Sequence, residues 1–243
     1  MPALNRKAAL LTKYRSAVVL ALALTLLTTG CDVAREASAP PDPSASSKSI
    51  TLELAKVKVA PNRPDVAGYE RRCGKGKGCS FGPSWSDNHT GTGGHDGCDT
   101  RNNVLARQLT QVTYKSGAKR CVVLSGQLED PYTGRTIEFR KAEASKVQID
   151  HLYPLSRAWD LGASKWTAQR RQDFANDQTD NLLAVDGSTN ASKSDHGPGE
   201  WMPINKAFRC TYVLRYLRVA SKYGLPITRD DQQSVKTLLR TCP

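Results

Sequence analysis

The sequence lacks three features, and each absence excludes a kind of protein. Its apolar run near the N-terminus, residues 17–27, has about eleven residues, which is too short to cross a bilayer as a helix. It contains no His-Glu-x-x-His motif or comparable ligand pair, which argues against a zinc hydrolase acting on peptides or cell wall. It contains no internal repeat, and residues 50–243 are numerous enough for one compact domain with its own core.

Residues 1–30 have the organisation of a targeting segment. A basic stretch without acids precedes the apolar run, and small residues then lead to Cys31. This order resembles a bacterial lipobox, which implies that residues 1–30 are a signal peptide and that Cys31 receives lipid. The chain would then be extracytoplasmic and attached to the membrane through Cys31, with plain secretion as the alternative. Residues 31–49 are rich in Ala, Ser and Pro and are predicted to be a disordered tether.

Six of the seven cysteines remain when Cys31 is set aside. An even number in an exported domain predicts disulfides, although six cysteines allow fifteen connectivities and the sequence does not choose among them. We favour pairs that close a short glycine-rich loop, tie a helix start to a strand, and clamp the last two helices: Cys73–Cys79, Cys98–Cys121 and Cys210–Cys242. A second interpretation is a zinc site that uses His89, His95 and Cys98, in a segment that also holds Cys79.

The balance of charge is basic. The chain has a formal net charge of +12, and +8 remains once the cations of residues 1–30 are removed. A basic balance of this size favours polyanionic partners, because it raises the local concentration of phosphate around the protein. Nucleic acid is therefore a candidate partner, while no protein partner can be inferred.

Hydrophobic periodicity and turn residues predict a mixed α+β domain. The predicted strands span residues 121–126, 135–140, 146–151 and 182–185. The predicted helices span residues 102–114, 164–174 (with Ser164 as N-cap) and 204–223, with a short helix opened by Asn190 and a final one after Thr228. Asp231 follows Thr228 at the spacing of a capping box variant. Residues 50–60 fit helix and strand about equally, and residues 61–98 are predicted to be an irregular loop held by cysteines.

Three polar residues between positions 146 and 196 carry the groups needed to hydrolyse a phosphodiester. That reaction requires an activated water, neutralisation of charge on phosphorus, and help for the departing oxygen. Asp150 offers a carboxylate and Asn190 an amide oxygen, which Mg²⁺ accepts beside waters and a substrate phosphate. His151 can accept a proton at neutral pH, because an unperturbed imidazole has a pKa near ~6.5. Asp150 and His151 are adjacent, so both reach one site only if the strand ends there.

The chain resembles the HNH nucleases, the ββα-metal group, in three ordered pieces: Asp150-His151-Leu152-Tyr153-Pro154, Asn181-Leu182-Leu183-Ala184-Val185 and Asn190-Ala191-Ser192-Lys193-Ser194-Asp195. Over residues 68–243 it also resembles a group of exported bacterial HNH nucleases, whose catalytic domain is related to one at the C-terminus of some modification-dependent restriction enzymes. Further matches are Cys98-Asp99-Thr100-Arg101-Asn102, Asp130-Pro131-Tyr132-Thr133-Gly134, Phe174-Ala175-Asn176-Asp177 and Glu200-Trp201-Met202-Pro203. The resemblance implies an HNH core at residues 146–196, embedded in a mainly helical, disulfide-stabilised single domain.

The resemblance also implies a role for each matching residue. Asp150 and Asn190 would hold the metal, Mg²⁺ or Mn²⁺, and His151 would be the general base. Asn181 would hold the loop that positions His151. Two of these residues have plainer interpretations, Asn190 as a helix N-cap and Asn181 as a turn residue.

Two cations are predicted to contact substrate phosphate. Lys193 follows the last motif in a commonly basic position, and Arg101 lies in one of the supporting matches. The plainer interpretation of both is a solvated surface charge.

The leading prediction is a metal-dependent endonuclease that hydrolyses extracellular DNA, with RNA as a second candidate substrate. Nothing resembles a base-reading module, so little sequence specificity is expected. The alternative is a non-catalytic surface lipoprotein that binds nucleic acid or acidic envelope polymer. The complete set of Asp150, His151, Asn181 and Asn190 favours the enzyme, because binding alone does not require it.

Overall fold

The structure, a computed structural model, describes residues 42–243. The predicted signal peptide, the predicted lipidation site Cys31 and residues 31–41 of the predicted tether lie outside the described residues. Among residues 42–243, none of the helices combines the length and the apolar character that a bilayer crossing requires. Helices and strands are both present, as the α+β prediction requires, and disulfides cross-link them.

Helices and strands alternate irregularly along the described chain. The helices are α1 (Ser47–Lys56), α2 (Thr100–Gln108), α3 (Leu155–Asp160), α4 (Ala168–Ala175), α5 (Gly187–Lys193), α6 (Arg209–Tyr223) and α7 (Arg229–Leu238). The strands are β1 (Val59–Ala60), β2 (Thr110–Tyr114), β3 (Val123–Glu129), β4 (Thr136–Arg140), β5 (Val147–His151), β6 (Leu182–Asp186) and β7 (Ile227–Thr228). Strands β2, β3 and β4 form an antiparallel sheet, β5 pairs antiparallel with β6, and β1 pairs parallel with β7.

The β5–β6 pair is buried between two hydrophobic clusters. Leu182 and Ala184 face one cluster, which includes residues of α2 and of the three-stranded sheet. Leu183 and Val185 face the other cluster, which includes most of the buried side chains of α6. A strand with two buried faces needs apolar residues at successive positions, which is why the first four residues of β6 are all apolar.

Helix α5 begins directly after β6 and packs against both β5 and β6. Asp186 ends the strand and caps the helix, since its side chain accepts a hydrogen bond from the Thr189 amide at 2.7 Å. Gly187 permits the tight junction, because a Cβ there would lie 2.0 Å from the carbonyl oxygen of Ser145. Asn190 therefore lies inside α5, and the prediction that it opens or caps this helix is wrong.

The disulfides of the described chain are Cys73–Cys79, Cys98–Cys121 and Cys210–Cys242, which is the pairing favoured from the sequence. The first closes a loop within residues 61–98. The second joins the residues before α2 to those before β3. The third joins α6 to the residues that follow α7.

The predicted helix over residues 102–114 is wrong beyond Gln108. The chain leaves the helix at Leu109, whose backbone is extended, and continues as β2. Thr113 and Tyr114 pair with β3. The run Thr-Gln-Val-Thr-Tyr is rich in β-branched and aromatic residues, which pack well in a sheet once a partner strand is present.

The predicted helix over residues 164–174 begins later than expected. Residues 163–165 form a short 3-10 turn, and Thr167 caps α4 by accepting a hydrogen bond from the Arg170 amide. Ser164 is therefore not the N-cap. The predicted strands are confirmed as β3, β4, β5 and β6, with ends shifted by up to three residues. The capping box at Thr228 is also confirmed, at the start of α7.

The folded region starts before residue 50. Ser46 caps α1, Ala45 is buried, and the Ser47 amide donates to the carbonyl oxygen of Pro243 at 2.7 Å. Residues 42–49 of the predicted tether are therefore packed onto the C-terminal part of the chain. Residues 50–60 contain both of the structures that the sequence left open, the rest of α1 and then β1.

Candidate functional site

One cleft of about 380 Å³ collects the residues predicted for catalysis and metal binding, except Asn181. It is lined by Tyr69, Arg71, Ile149, Asp150, His151, Pro154, Leu155, Ser156, Asn190, Ser194 and Asp195. Strand β5 ends at His151, which lets the adjacent Asp150 and His151 both reach the cleft. A larger cavity of about 950 Å³ lies between the start of α6 and α7 and contains none of the residues predicted for catalysis, metal or phosphate.

The imidazole ring of His151 is held from two sides. Its Nε2 lies 2.9 Å from the carbonyl oxygen of Ala175, and its face stacks on Trp85 with ring centroids 5.8 Å apart. A carbonyl oxygen only accepts hydrogen bonds, so Nε2 carries the proton and Nδ1 keeps its lone pair. Burial lowers the pKa of His151 to about 4, with Arg71 also lowering it and the Ala175 carbonyl opposing the change. The ring is therefore neutral at pH 7 and its Nδ1 can accept a proton.

Asn181 lies behind the cleft and joins the segment after β5 to the end of α4. Its side-chain oxygen accepts a hydrogen bond from the Tyr153 amide at 2.9 Å, and its Nδ2 donates to the Phe174 carbonyl at 3.4 Å. Its own carbonyl oxygen accepts from the Leu152 amide at 2.8 Å. The side chain is fully buried. This placement fits the predicted role of holding the loop next to His151.

Asp150 is almost fully buried, and each of its carboxylate oxygens has a partner. Oδ2 accepts a hydrogen bond from the Tyr132 hydroxyl, and Oδ1 lies 3.0 Å from the ammonium of Lys193. Lys193 also donates to the carbonyl oxygen of His151 at 2.9 Å. Burial lowers the pKa of Lys193, and the Asp150 carboxylate opposes that change.

This geometry corrects the role predicted for Lys193. Its side chain has no exposed surface, and its ammonium lies on Asp150 and on the end of β5. A buried, paired lysine does not contact phosphate in the cleft. It compensates the charge of Asp150 and anchors the strand end.

Asp150 and Asn190 have the chemistry to hold a divalent cation of the Mg²⁺ type. The Nδ2 of Asn190 donates to Gln148 at 2.9 Å, and the Asn190 amide oxygen has no hydrogen-bond partner among residues 42–243. Each Asp150 oxygen keeps a second lone pair beside the bond that it already accepts. In the described chain no group of three or more His, Cys, Asp or Glu side chains is arranged to hold a metal. A cation here would take its other ligands from water and substrate, as Mg²⁺ commonly does.

Arg101 lies at the far end of β5. Its Nη2 donates to the carbonyl oxygens of Ala144 at 3.1 Å and Val147 at 2.9 Å. His151 is four residues further along the strand, which at ~3.3 Å per residue is roughly 13 Å. Arg101 does not line the cleft, and its guanidinium holds the backbone at the start of β5. The predicted phosphate contact of Arg101 stays a prediction.

Two residues beside the predicted base were not predicted from the sequence. Arg71 lines the cleft, and Trp85 stacks on His151. Both lie in the irregular loop of residues 61–98, where no periodicity indicates which side chains point inward. The one available signal is the cysteine pair Cys73–Cys79, which fixes the chain immediately after Arg71.

The zinc interpretation is not supported by the arrangement of its residues. Cys79 and Cys98 are each bonded to another cysteine. Among residues 42–243, neither His89 nor His95 belongs to a group of three or more His, Cys, Asp or Glu side chains that could hold a metal. The predicted ligands are therefore not arranged around one point.

Two comparisons relate the chain to known proteins. Residues 99–235 match the family described as GmrSD restriction endonucleases, C-terminal domain. This range contains Asp150, His151, Asn181 and Asn190, and it excludes Arg71 and Trp85. An uncharacterized secreted protein of the fungus Arthroderma benhamiae is 39% identical over 146 residues, which cover 60% of this chain and 68% of that protein. No solved structure matches the chain.

Proposed function

The chain belongs to the family of GmrSD restriction endonuclease C-terminal domains, and we propose that it is a metal-dependent endonuclease of the HNH type. The order β5, β6, α5 supports a ββα-metal core, because two antiparallel strands are followed directly by a helix that packs on them. The main support for the proposal is that Asp150, His151 and Asn190 line the same cleft. Asp150 and His151 reach it from the end of β5, and Asn190 reaches it from α5.

His151 acts as the general base in the proposed reaction. Its Nδ1 takes a proton from the water that attacks phosphorus, while Nε2–H stays bonded to the Ala175 carbonyl. That carbonyl belongs to the last turn of α4, where the helix dipole is negative and favours the imidazolium that forms. Trp85 keeps the ring in plane, so the direction of Nδ1 is set before substrate binds.

Asp150 and Asn190 would hold Mg²⁺ or Mn²⁺ in the proposed site. A bound divalent cation would neutralise charge on the phosphate and assist the departing oxygen. Tyr132 and Lys193 fix the orientation of the Asp150 carboxylate, and Gln148 fixes the amide group of Asn190. These contacts hold both proposed metal ligands in place in the absence of substrate.

The proposed substrate is extracellular DNA, with RNA as a second candidate, and little sequence selectivity is expected. The net charge of +8 that remains without residues 1–30 supports a polyanionic substrate. An extracytoplasmic location is supported by the disulfides, which persist in oxidising compartments, and by the relative, whose name describes it as secreted. Membrane attachment through lipid on Cys31 is proposed from the sequence, with secretion of the free protein as the alternative.

Cleavage of circular plasmid DNA and of RNA by the chain, purified under oxidising conditions, tests the proposal. Nicking is expected with Mg²⁺ or Mn²⁺ and none with EDTA. Substituting His151→Ala removes the base and should slow nicking by roughly 10²- to 10⁴-fold. The control His95→Asn changes an exposed histidine outside the cleft and should leave the rate unchanged.

A different result would favour the alternative function. If the folded wild type binds DNA in a gel-shift assay but does not cut it with either metal, the chain is a non-catalytic protein that binds nucleic acid or acidic polymer. Nicking by His151→Ala at the wild-type rate would instead leave the chain a nuclease and remove His151 from its chemistry.

A further inference from the structure

Arg71 places a cation in the cleft beside the proposed base. It lines the same cleft as Asp150, His151 and Asn190, and its side chain is partly buried. Its hydrogen bond within the described chain joins one terminal nitrogen, Nη1, to the carbonyl oxygen of Gly82 at 3.3 Å. A guanidinium carries five N–H donors, so most of its donors remain available.

The other charges of the cleft are already paired. Lys193 lies 3.0 Å from Asp150, and Arg63 lies 2.8 Å from Asp195. No carboxylate of residues 42–243 lies within ion-pair distance of Arg71. A partly desolvated guanidinium that stays charged and has no counter-ion leaves the cleft with one uncompensated positive charge.

Two backbone hydrogen bonds hold the chain on either side of Arg71. The Ser80 amide donates to the Glu70 carbonyl at 2.8 Å, and the Cys79 amide donates to the Arg72 carbonyl at 3.1 Å. The Cys73–Cys79 disulfide closes the same loop. These contacts restrain the chain on both sides of Arg71, so the cation is held at the cleft by structure formed before any ligand binds.

We propose that Arg71 is a substrate-binding residue whose guanidinium contacts a backbone phosphate of the nucleic acid strand lying in the cleft. The inference rests on the proposed function, and it assigns a phosphate contact inside the cleft, which neither Lys193 nor Arg101 lines. A guanidinium can donate two parallel hydrogen bonds to one phosphate, which a single ammonium cannot match in geometry. Arg71 lies outside the region that matches the family, residues 99–235, so the contact comes from this chain's own N-terminal loop.

The test measures binding separately from cleavage. The chain and its variants are titrated against a fluorescent DNA duplex in EDTA over a range of salt concentrations. Arg71→Gln should raise Kd about ten-fold or more and reduce the slope of log affinity against log salt by about 0.9, the value for one phosphate contact. The matched control Arg72→Gln removes the same charge from the adjacent residue, whose side chain is 75% exposed and lies on Glu70, and should change Kd little.

Equal Kd values and equal salt slopes for Arg71→Gln and Arg72→Gln would overturn the proposal. If Arg71→Gln does not fold, as judged by its melting curve, Arg71→Lys decides. A raised Kd with an unchanged slope supports the guanidinium contact, and a wild-type Kd rejects it. If wild-type protein cuts no nucleic acid with either metal, the proposed function fails, while a difference between Arg71→Gln and Arg72→Gln still identifies Arg71 as a phosphate-binding residue.

Discussion

At the residue scale, the end of α4 holds both the proposed base and the residue that positions it. The last carbonyl groups of a helix have no partner within it. Here the Phe174 carbonyl accepts from Asn181 and the Ala175 carbonyl accepts from His151. The Asn181 side chain thereby sets the position of the segment that follows His151.

Substituting Asn181→Ala should lower both stability and activity. It leaves the buried Tyr153 amide without a partner, which costs about 1–3 kcal/mol of unfolding free energy. Nicking should slow as well, because the segment next to His151 loses its anchor. Urea unfolding and plasmid nicking, measured side by side, report the two effects.

The matched control is Asn176→Ala, which removes a second buried amide near the end of α4. The Asn176 side chain donates to the Gln172 carbonyl and makes no hydrogen bond with the segment after β5 within the described chain. This variant should lose stability while keeping its nicking rate per folded molecule. Equal loss of activity in the two variants would mean that Asn181 acts only through general stability.

At the element scale, the strands of the site could be predicted from the sequence, while the surrounding loop could not. The apolar run of residues 182–185 lies in β6, and Pro154 follows the end of β5, so both local patterns agree with the structure. The helix predicted over residues 102–114 failed beyond Gln108, because β2 depends on pairing with β3, which local periodicity does not report.

The same limit applies to the site residues. Asp150, His151 and Asn190 were predicted from motif order and share the cleft. The burial of Lys193 was not predicted, because it depends on an ion pair between residues forty-three positions apart. Arg71 and Trp85 also depend on long-range packing, since their loop has no regular structure around them.

The disulfides should separate activity from stability. Replacing Cys73 and Cys79 by alanine opens a loop of sequence separation 6, and replacing Cys210 and Cys242 opens one of separation 32. Loss of the Cys210–Cys242 disulfide should lower the free energy of unfolding more, because the entropy gained by the unfolded chain grows with the length of the loop that the disulfide closes. Loss of the Cys73–Cys79 disulfide should lower the activity more, because this disulfide helps to hold Arg71 at the cleft.

Melting temperatures and initial nicking rates of the two double variants check this prediction. The Cys210 and Cys242 variant should have the lower melting temperature of the two. Below that temperature it should nick DNA at nearly the wild-type rate. If the Cys73 and Cys79 variant nicks DNA at the wild-type rate, the disulfide is not needed to hold Arg71 at the cleft.

At the scale of the whole molecule, the site lies where two hydrophobic clusters meet at the β5–β6 pair. Burial of β6 on both faces and the immediate start of α5 fix the strand end relative to the helix. The region that matches the family, residues 99–235, contains the β5–β6 pair and α5. The loop of residues 61–98, outside that region, adds Arg71 and Trp85 to the site. In the proposed function, the chemistry belongs to the region that matches the family, and the phosphate contact comes from the loop of residues 61–98.

The role of His151 as the general base can be tested by single-turnover cleavage of a short DNA duplex by His151→Ala, with and without imidazole. We expect the variant to be slow. Added imidazole should restore cleavage in proportion to the concentration of neutral imidazole, because imidazole replaces the missing base. Restoration should require Mg²⁺ or Mn²⁺, as in the wild type. A variant that cleaves at the wild-type rate without imidazole would contradict the assignment of His151 as the general base.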